Sequence, residues 1–118
     1  MKPQGRAIQS LADAVVSLQL EAIPDDVLID AKRCLIDICG VTLAGAKTQS
    51  AKMLLGTATE TYAAGCCDVV GTPHKLNASG AAFANGSAAH ALDFDDNCYA
   101  GIVHGSAVVF PAVLAVAQ

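Results

Sequence analysis

The stretch from His90 to His104 contains most of the side chains in this sequence that could carry out acid–base chemistry. Two of the three histidines lie at its ends, and three carboxylates, on Asp93, Asp95 and Asp96, fall within four positions of one another. An imidazole exchanges a proton near neutral pH, and a neighbouring carboxylate fixes which ring nitrogen carries that proton. The loop between the carboxylates and His104 could fold this histidine back over Asp93. The stretch therefore predicts an acid–base pair of Asp93 and His104.

The aspartate cluster has two other interpretations. The pattern DxDDN over residues 93–97 supplies hard oxygen ligands that suit magnesium. No second acidic cluster is present to complete such a site, and we predict no metal. The remaining interpretation is a helix-terminal turn whose aspartates accept hydrogen bonds from local backbone amides. Because carboxylates are disfavoured at the negative end of a helix, hydrogen bonds, a cation or a basic partner must compensate for them there.

The other histidines and the cysteines are weaker candidates. His90 is expected to be buried and hydrogen-bonded within a helix bundle, and His74 to lie on the surface in a polar turn. Cys98 has no activating neighbour except His104, which disfavours a nucleophilic thiol. The five cysteines show no disulfide framework, no CxxC and no zinc spacing. They predict reduced, mostly buried thiols and a cytoplasmic protein.

Composition argues against several classes of function. The net charge is −4, with seven basic and eleven acidic residues, and there is no basic stripe, so we expect no nucleic-acid partner. No apolar run approaches the ~20 residues of a membrane span, and the first residues lack the apolar core of a signal peptide. The hydrophobic fraction of 53% is high for a soluble domain of this size. We therefore expect part of the apolar surface to contact another polypeptide.

The elements that position these side chains are predicted to be helices. A short extended piece at 66–70 is the only hint of a strand, and its partner is not visible in the sequence. Apolar residues recur with helical spacing in five segments, near 6–20, 25–44, 49–63, 79–94 and 106–117. Gly40 and Ala44 in the second segment permit close approach of another helix. The fold class is therefore predicted to be all-α, a helical bundle.

Local signals place two of the helix starts and mark one helix as central. Thr48 or Ser50 is expected to cap the third helix, and Asn77 or Ser79 the fourth. The fourth helix is made largely of alanine, glycine and serine. Such a slim helix allows close backbone contacts, so it is predicted to lie at the centre of the bundle.

Two motifs resemble those of the MmgE/PrpD family. They are ANGSAAHALDFDD at residues 84–96 and HGSAVVFPA at residues 104–112, and residues 31–45 resemble an early helix of the same family. The family fold is an all-α domain joined to a smaller α+β lid domain. Together with a final helix that stops without a closing residue, the resemblance implies that residues 1–118 are a single, truncated N-terminal helical domain that lacks the lid.

The resemblance also implies a function. Family members are homodimeric, cofactor-independent lyases or isomerases that act on small di- and tricarboxylates. The implied activity is that of a 2-methylcitrate dehydratase, and the alternatives are a cis-aconitate decarboxylase or an isomerase. Asp93 and His104 would be catalytic, and Asn97, which is often threonine in the family, would bind substrate. Gly105 stands where a proline is usual.

The acidic composition suggests that this piece carries an incomplete site. An anionic substrate needs cations, and in the family a further lysine and histidine of the site lie beyond residue 118. We therefore expect the 118 residues alone to be inactive. The competing interpretation is a non-catalytic helical interaction module.

Overall fold

The computed structural model describes residues 5–118, and the chain divides into two compact units, Met1–Ala31 and Lys32–Gln118. In the first unit, the described residues form helix α1 (Gly5–Ser17), a 3-10 turn (Leu20–Ala22) and the start of helix α2 (Asp25–Gly45). The second unit contains the rest of α2, helices α3 (Gln49–Thr61), α4 (Ala78–His90) and α5 (Gly105–Ala117), and strands β1 (Ala64–Asp68) and β2 (Lys75–Leu76). The mostly helical architecture of the described residues confirms the predicted fold class.

Side-chain caps fix where α3 and α4 begin. The Thr48 hydroxyl accepts a hydrogen bond from the backbone N–H of Ala51 at 3.2 Å, and the Asn77 side-chain oxygen accepts one from Gly80 at 2.9 Å. Each cap satisfies a backbone donor that the start of a helix leaves free. Of the two candidates predicted for each helix, Thr48 caps α3 and Asn77 caps α4.

Strands β1 and β2 form an antiparallel hairpin, which supplies the partner that the sequence did not show. Ala64 and Cys67 both pair with Leu76, so the register is irregular between them, and Asp68 pairs with Lys75. The second strand is only two residues long. It therefore leaves no alternating pattern that could be recognised in the sequence.

Helix α4 is the centre of the second unit, as its small residues predicted. It contacts α3, α5 and both strands. Two clusters of buried apolar side chains form beside it, one around β1 and one around Ile38 and Phe110. Almost half of the helix is buried, at Gly80, Ala81, Ala84, Asn85, Ala88 and Ala89.

The closest backbone approach at a described glycine involves Gly45, at the end of α2. A β-carbon at this position would lie 2.0 Å from the carbonyl oxygen of Ala88 on α4. A β-carbon at Gly40, where the sequence suggested a close contact, would have no atom within 4 Å. That expectation was wrong because the buried side of α2 runs through Ile38, Thr42 and Gly45.

These two glycines give opposite predictions for the same substitution. We expect Gly45→Ala to lower the free energy of unfolding by about 1–3 kcal/mol, the usual cost of overpacking a core. Gly40→Ala should raise it by about 0.5–1 kcal/mol, because alanine loses less backbone entropy in a helix than glycine. Urea denaturation followed by circular dichroism measures both changes. An unchanged midpoint for Gly45→Ala would mean that α2 and α4 do not pack this closely.

Two predicted helix ends differ from the structure. Helix α1 ends at Ser17 instead of near residue 20, because the chain changes there to an extended residue and a 3-10 turn. Helix α4 ends at His90 instead of residue 94, because the chain turns immediately afterwards. The second difference decides how the candidate site is built.

The prediction that most cysteines are buried was also wrong. All five thiols are free, and among them Cys67 alone is buried. Cys34 and Cys39 lie on α2 outside its buried side, which is formed by Ile38 and Thr42. Helical spacing placed these cysteines on the correct element but did not show which side of it faces the core.

Helix α5 carries much of the exposed apolar surface of the second unit. Four of its valines are more than half exposed: Val108, Val109, Val113 and Val116. The excess of apolar surface expected from composition is therefore present, while its contact with another polypeptide stays a prediction. No helix formed by residues 5–118 has the length and apolar character needed to cross a membrane.

Candidate active site

The chain reverses direction just after α4, and this turn places the aspartates. The backbone N–H of Asp93 donates a hydrogen bond to the carbonyl oxygen of His90 at 3.2 Å, and Asp93 has a φ of 54°. Aspartate adopts this left-handed conformation more readily than most residues, so the helix can end here at low cost. Asp95 follows with its side chain turned inward, and the residue is only 5% exposed.

The buried Asp95 carboxylate lies beside two histidine rings. His90 Nδ1 is 3.1 Å from Oδ1 and 3.0 Å from Oδ2 of Asp95. His104 Nδ1 is 3.2 Å from Oδ2, but it is not aligned for a hydrogen bond. This nitrogen is buried and has no hydrogen-bond partner among the described residues. The two rings meet edge to face with centroids 4.7 Å apart, so one carboxylate faces the Nδ1 atoms of both imidazoles.

A short loop and a helix cap hold His104 at this position. The backbone N–H of Cys98 donates to the carbonyl oxygen of Val103 at 2.9 Å, which closes the loop between them. Asp96 accepts a hydrogen bond from the backbone N–H of Ser106 at 2.9 Å, in the first turn of α5. A carboxylate there complements the positive end of the helix dipole. Asp96 therefore has a structural role that matches the local-turn interpretation of the cluster.

The three residues predicted for the site have different positions. Asp93 and His104 are close together, with 3.9 Å between Asp93 Oδ1 and His104 Nε2. This distance permits an ion pair when the imidazole is protonated, but it is too long for a hydrogen bond. Asn97 is an exposed loop residue and does not line the cavity beside the histidines. The chemical roles of all three residues stay predictions.

A cavity of about 380 Å³ opens beside the two histidine rings. This volume is within the range of small-molecule sites. Gly86 contributes to the space because it has no side chain there. The imidazoles are the titratable groups of the lining, which consists of Gly86, His90, Ile102, Val103, His104, Ala107 and Val108. The cavity therefore combines proton-exchanging groups with an apolar or small-residue wall.

The remaining candidates from the sequence are also located. His74 is exposed, as predicted, and Cys98 is exposed as well. The prediction of a buried His90 was wrong, because its side chain is 55% exposed. The ring is hydrogen-bonded to Asp95 instead of to groups inside the bundle, and it lines the cavity.

Asp95 is the residue that sequence reasoning missed. It was counted in the aspartate cluster but given no role, because the predicted helix continued to residue 94. In that arrangement, Asp93 shares a helix face with His90, and Asp95 does not. The helix ends four residues earlier, so the turn rotates Asp95 into the position beside the histidines.

The same side chains could also hold a metal ion. His90, Asp93, Asp95 and His104 each offer one ligand atom, and these atoms lie within 4.8 Å of one another. Two imidazole nitrogens and two carboxylates form a donor set suited to zinc and other divalent transition metals. Both Asp95 oxygens already contact His90, so metal binding would have to displace that interaction.

Comparison with known proteins identifies a family whose sequences this chain resembles. Residues 9–118 match the family model described as the MmgE/PrpD N-terminal domain. The chain is similar to the cis-aconitate decarboxylase-like protein oryM of Aspergillus oryzae, with 30% identity over 116 residues. That alignment covers 98% of this chain and 24% of the relative.

Two further relatives are named cis-aconitate decarboxylase. The protein from Homo sapiens is 30% identical over 112 residues, which cover 93% of this chain and 23% of the relative. The protein from Aspergillus terreus is 28% identical over 102 residues, which cover 86% of this chain and 21% of the relative. The chain thus spans about a quarter of the length of the curated relatives it matches. No solved structure gave a significant match.

Proposed function

Because the chain belongs to the MmgE/PrpD family, we propose that it supplies part of an acid–base lyase site for a small di- or tricarboxylate. The observation that carries this proposal is the pair of imidazoles beside the buried Asp95, at the wall of a cavity of about 380 Å³. Imidazoles that line such a cavity can exchange protons with a bound molecule near neutral pH. The two imidazoles would therefore be this chain's contribution to the proton transfers that a cofactor-independent lyase requires.

Decarboxylation of cis-aconitate is the reaction to test first. Two of the relatives are named cis-aconitate decarboxylase, and a third is named cis-aconitate decarboxylase-like. In this reaction a carbon–carbon bond breaks, carbon dioxide leaves, and the electron pair left on carbon takes up a proton. His104 lines the cavity, and its imidazolium form would donate that proton.

Dehydration of 2-methylcitrate is the second candidate. It needs two proton transfers, because a base removes a proton from carbon while an acid protonates the leaving hydroxyl group. The presence of two imidazoles, with centroids 4.7 Å apart, favours this possibility. After movement of its loop, Asn97 would hold a substrate carboxylate through its side-chain amide. The active protein would be a homodimer.

Product analysis distinguishes these reactions. The chain, and any longer protein that contains it, would be incubated with cis-aconitate or 2-methylcitrate, and the products identified by mass spectrometry. We expect loss of carbon dioxide from cis-aconitate, whereas loss of water from 2-methylcitrate would identify a dehydratase. If the folded longer protein changes neither compound, a non-catalytic interaction module becomes the better interpretation.

A further inference from the structure

The two histidines of the cavity both present the same ring nitrogen to one carboxylate. Asp95 has a side chain with no exposed surface, and its oxygens lie 3.0 Å from His90 Nδ1 and 3.2 Å from His104 Nδ1. Only the His90 contact is aligned as a hydrogen bond. The more exposed ring, His90, is thus the one that Asp95 holds more firmly.

This contact determines which nitrogen of His90 is available for chemistry. An ionised carboxylate can only accept hydrogen bonds, so the ionised form of Asp95 requires His90 Nδ1 to carry the hydrogen. In the neutral ring, Nε2 then keeps its lone pair and can accept a proton. Since Nδ1 is engaged by Asp95 and the ring lines the cavity, proton exchange with a molecule in the cavity has to use Nε2.

We propose that His90 is a second proton-transfer residue of the site and that Asp95 is the positioning residue that fixes its tautomer. This inference rests on the proposed function and extends it to a residue that the sequence placed in the core. A carboxylate that orients an imidazole and stabilises its protonated form is a recurring device in acid–base catalysis.

The proton balance is simple in both candidate reactions. In the dehydration, His90 Nε2 takes the proton from carbon, the electron pair of that bond forms the double bond, and the hydroxyl group leaves as water with a proton from His104. In the decarboxylation, protonated His90 gives its Nε2 proton to the carbon that lost carbon dioxide. In the alternative route, His104 gives this proton to the carbon, and His90 then returns a proton to His104. Asp95 compensates the positive charge of the imidazolium in each case.

Nuclear magnetic resonance tests the positioning role without any substrate. The chain has three histidines, so long-range proton–nitrogen spectra of histidine-labelled protein can be assigned with His74→Gln and His90→Gln. We expect the neutral His90 ring to be the Nδ1–H tautomer. The nearly isosteric Asp95→Asn substitution should shift it towards the Nε2–H tautomer, while the His74 signals stay unchanged.

Turnover tests the chemical role separately. In the protein that shows lyase activity, His90→Gln should lower kcat by at least about 100-fold, the lower end of the usual effect of losing an acid–base group, with KM changed less than kcat. His74→Gln is the matched control, because this histidine is exposed and lies outside the cavity. It should leave both constants unchanged.

The possible outcomes separate this inference from the proposed function. An Nε2–H tautomer of neutral His90 in the unmodified chain overturns it, even when Asp95→Asn fails to fold. Normal kcat in His90→Gln also overturns it, while leaving the lyase function in place. The expected tautomer in a protein that turns over neither substrate would keep the role of Asp95 but reject a proton-transfer role for His90.

Discussion

Replacing His104 by alanine is expected to lower kcat of the active protein by about 10²–10⁴-fold, the usual effect of losing an acid–base group. The ring lines the cavity, its Nδ1 is buried beside Asp95, and its Nε2 lies 3.9 Å from Asp93 Oδ1. Among the residues that line this cavity, His90 is the other one whose side chain could give a proton to a bound molecule. Steady-state kinetics on the substrate identified by mass spectrometry measures the effect.

The pattern of the kinetic change decides between two roles for His104. Loss of proton transfer lowers kcat. Loss of a binding contact that is equally strong in the ground state and the transition state raises KM and leaves kcat unchanged. His74→Ala provides the control, because it removes an exposed imidazole that does not line the cavity. A near-normal kcat with a raised KM for His104→Ala would show that this histidine binds substrate and does not transfer the proton.

The sequence predicted the helices well because their signals are local. Thr48 and Asn77 are residues of the type that caps a helix, and both cap one in the structure. The end of α4 had no such signal, since the left-handed conformation of Asp93 depends on the packing of the turn that follows. Strand β2 was also hidden, because a two-residue strand is defined by its partner and not by its own pattern.

The candidate site shows the same division between local and tertiary information. The number of residues between Asp93 and His104 was enough to predict that the two side chains approach each other. Spacing could not show that Asp95 is the buried carboxylate, because its position depends on the end of α4, which was predicted four residues too late. Equally, spacing alone could not show that the His90 ring leaves the core and lines a cavity.

Asn85 has the largest expected effect on stability, because its side chain joins α4 to the end of β1. It is 1% exposed, its Oδ1 accepts a hydrogen bond from the backbone N–H of Val70 at 2.8 Å, and its Nδ2 donates to the carbonyl oxygen of Asp68 at 2.9 Å. Asn85→Ala would remove both partners at once. An unsatisfied polar group costs about 1–3 kcal/mol when it is buried, and both of these hydrogen bonds are partly buried, so we expect the free energy of unfolding to fall by about 2–4 kcal/mol.

Two further substitutions show whether hydrogen bonding is the cause. Asn85→Asp keeps the shape and the acceptor for Val70, but it loses the donor to Asp68 and adds a buried charge, so it should be at least as destabilising as alanine. Asn77→Ala removes only the cap of the same helix and should cost about 1 kcal/mol. Urea denaturation of the three variants gives the comparison. If Asn85→Ala costs no more than Asn77→Ala, the bridge between α4 and β1 does not hold the hairpin in place, and the packing around Cys67 and Val69 must do so instead.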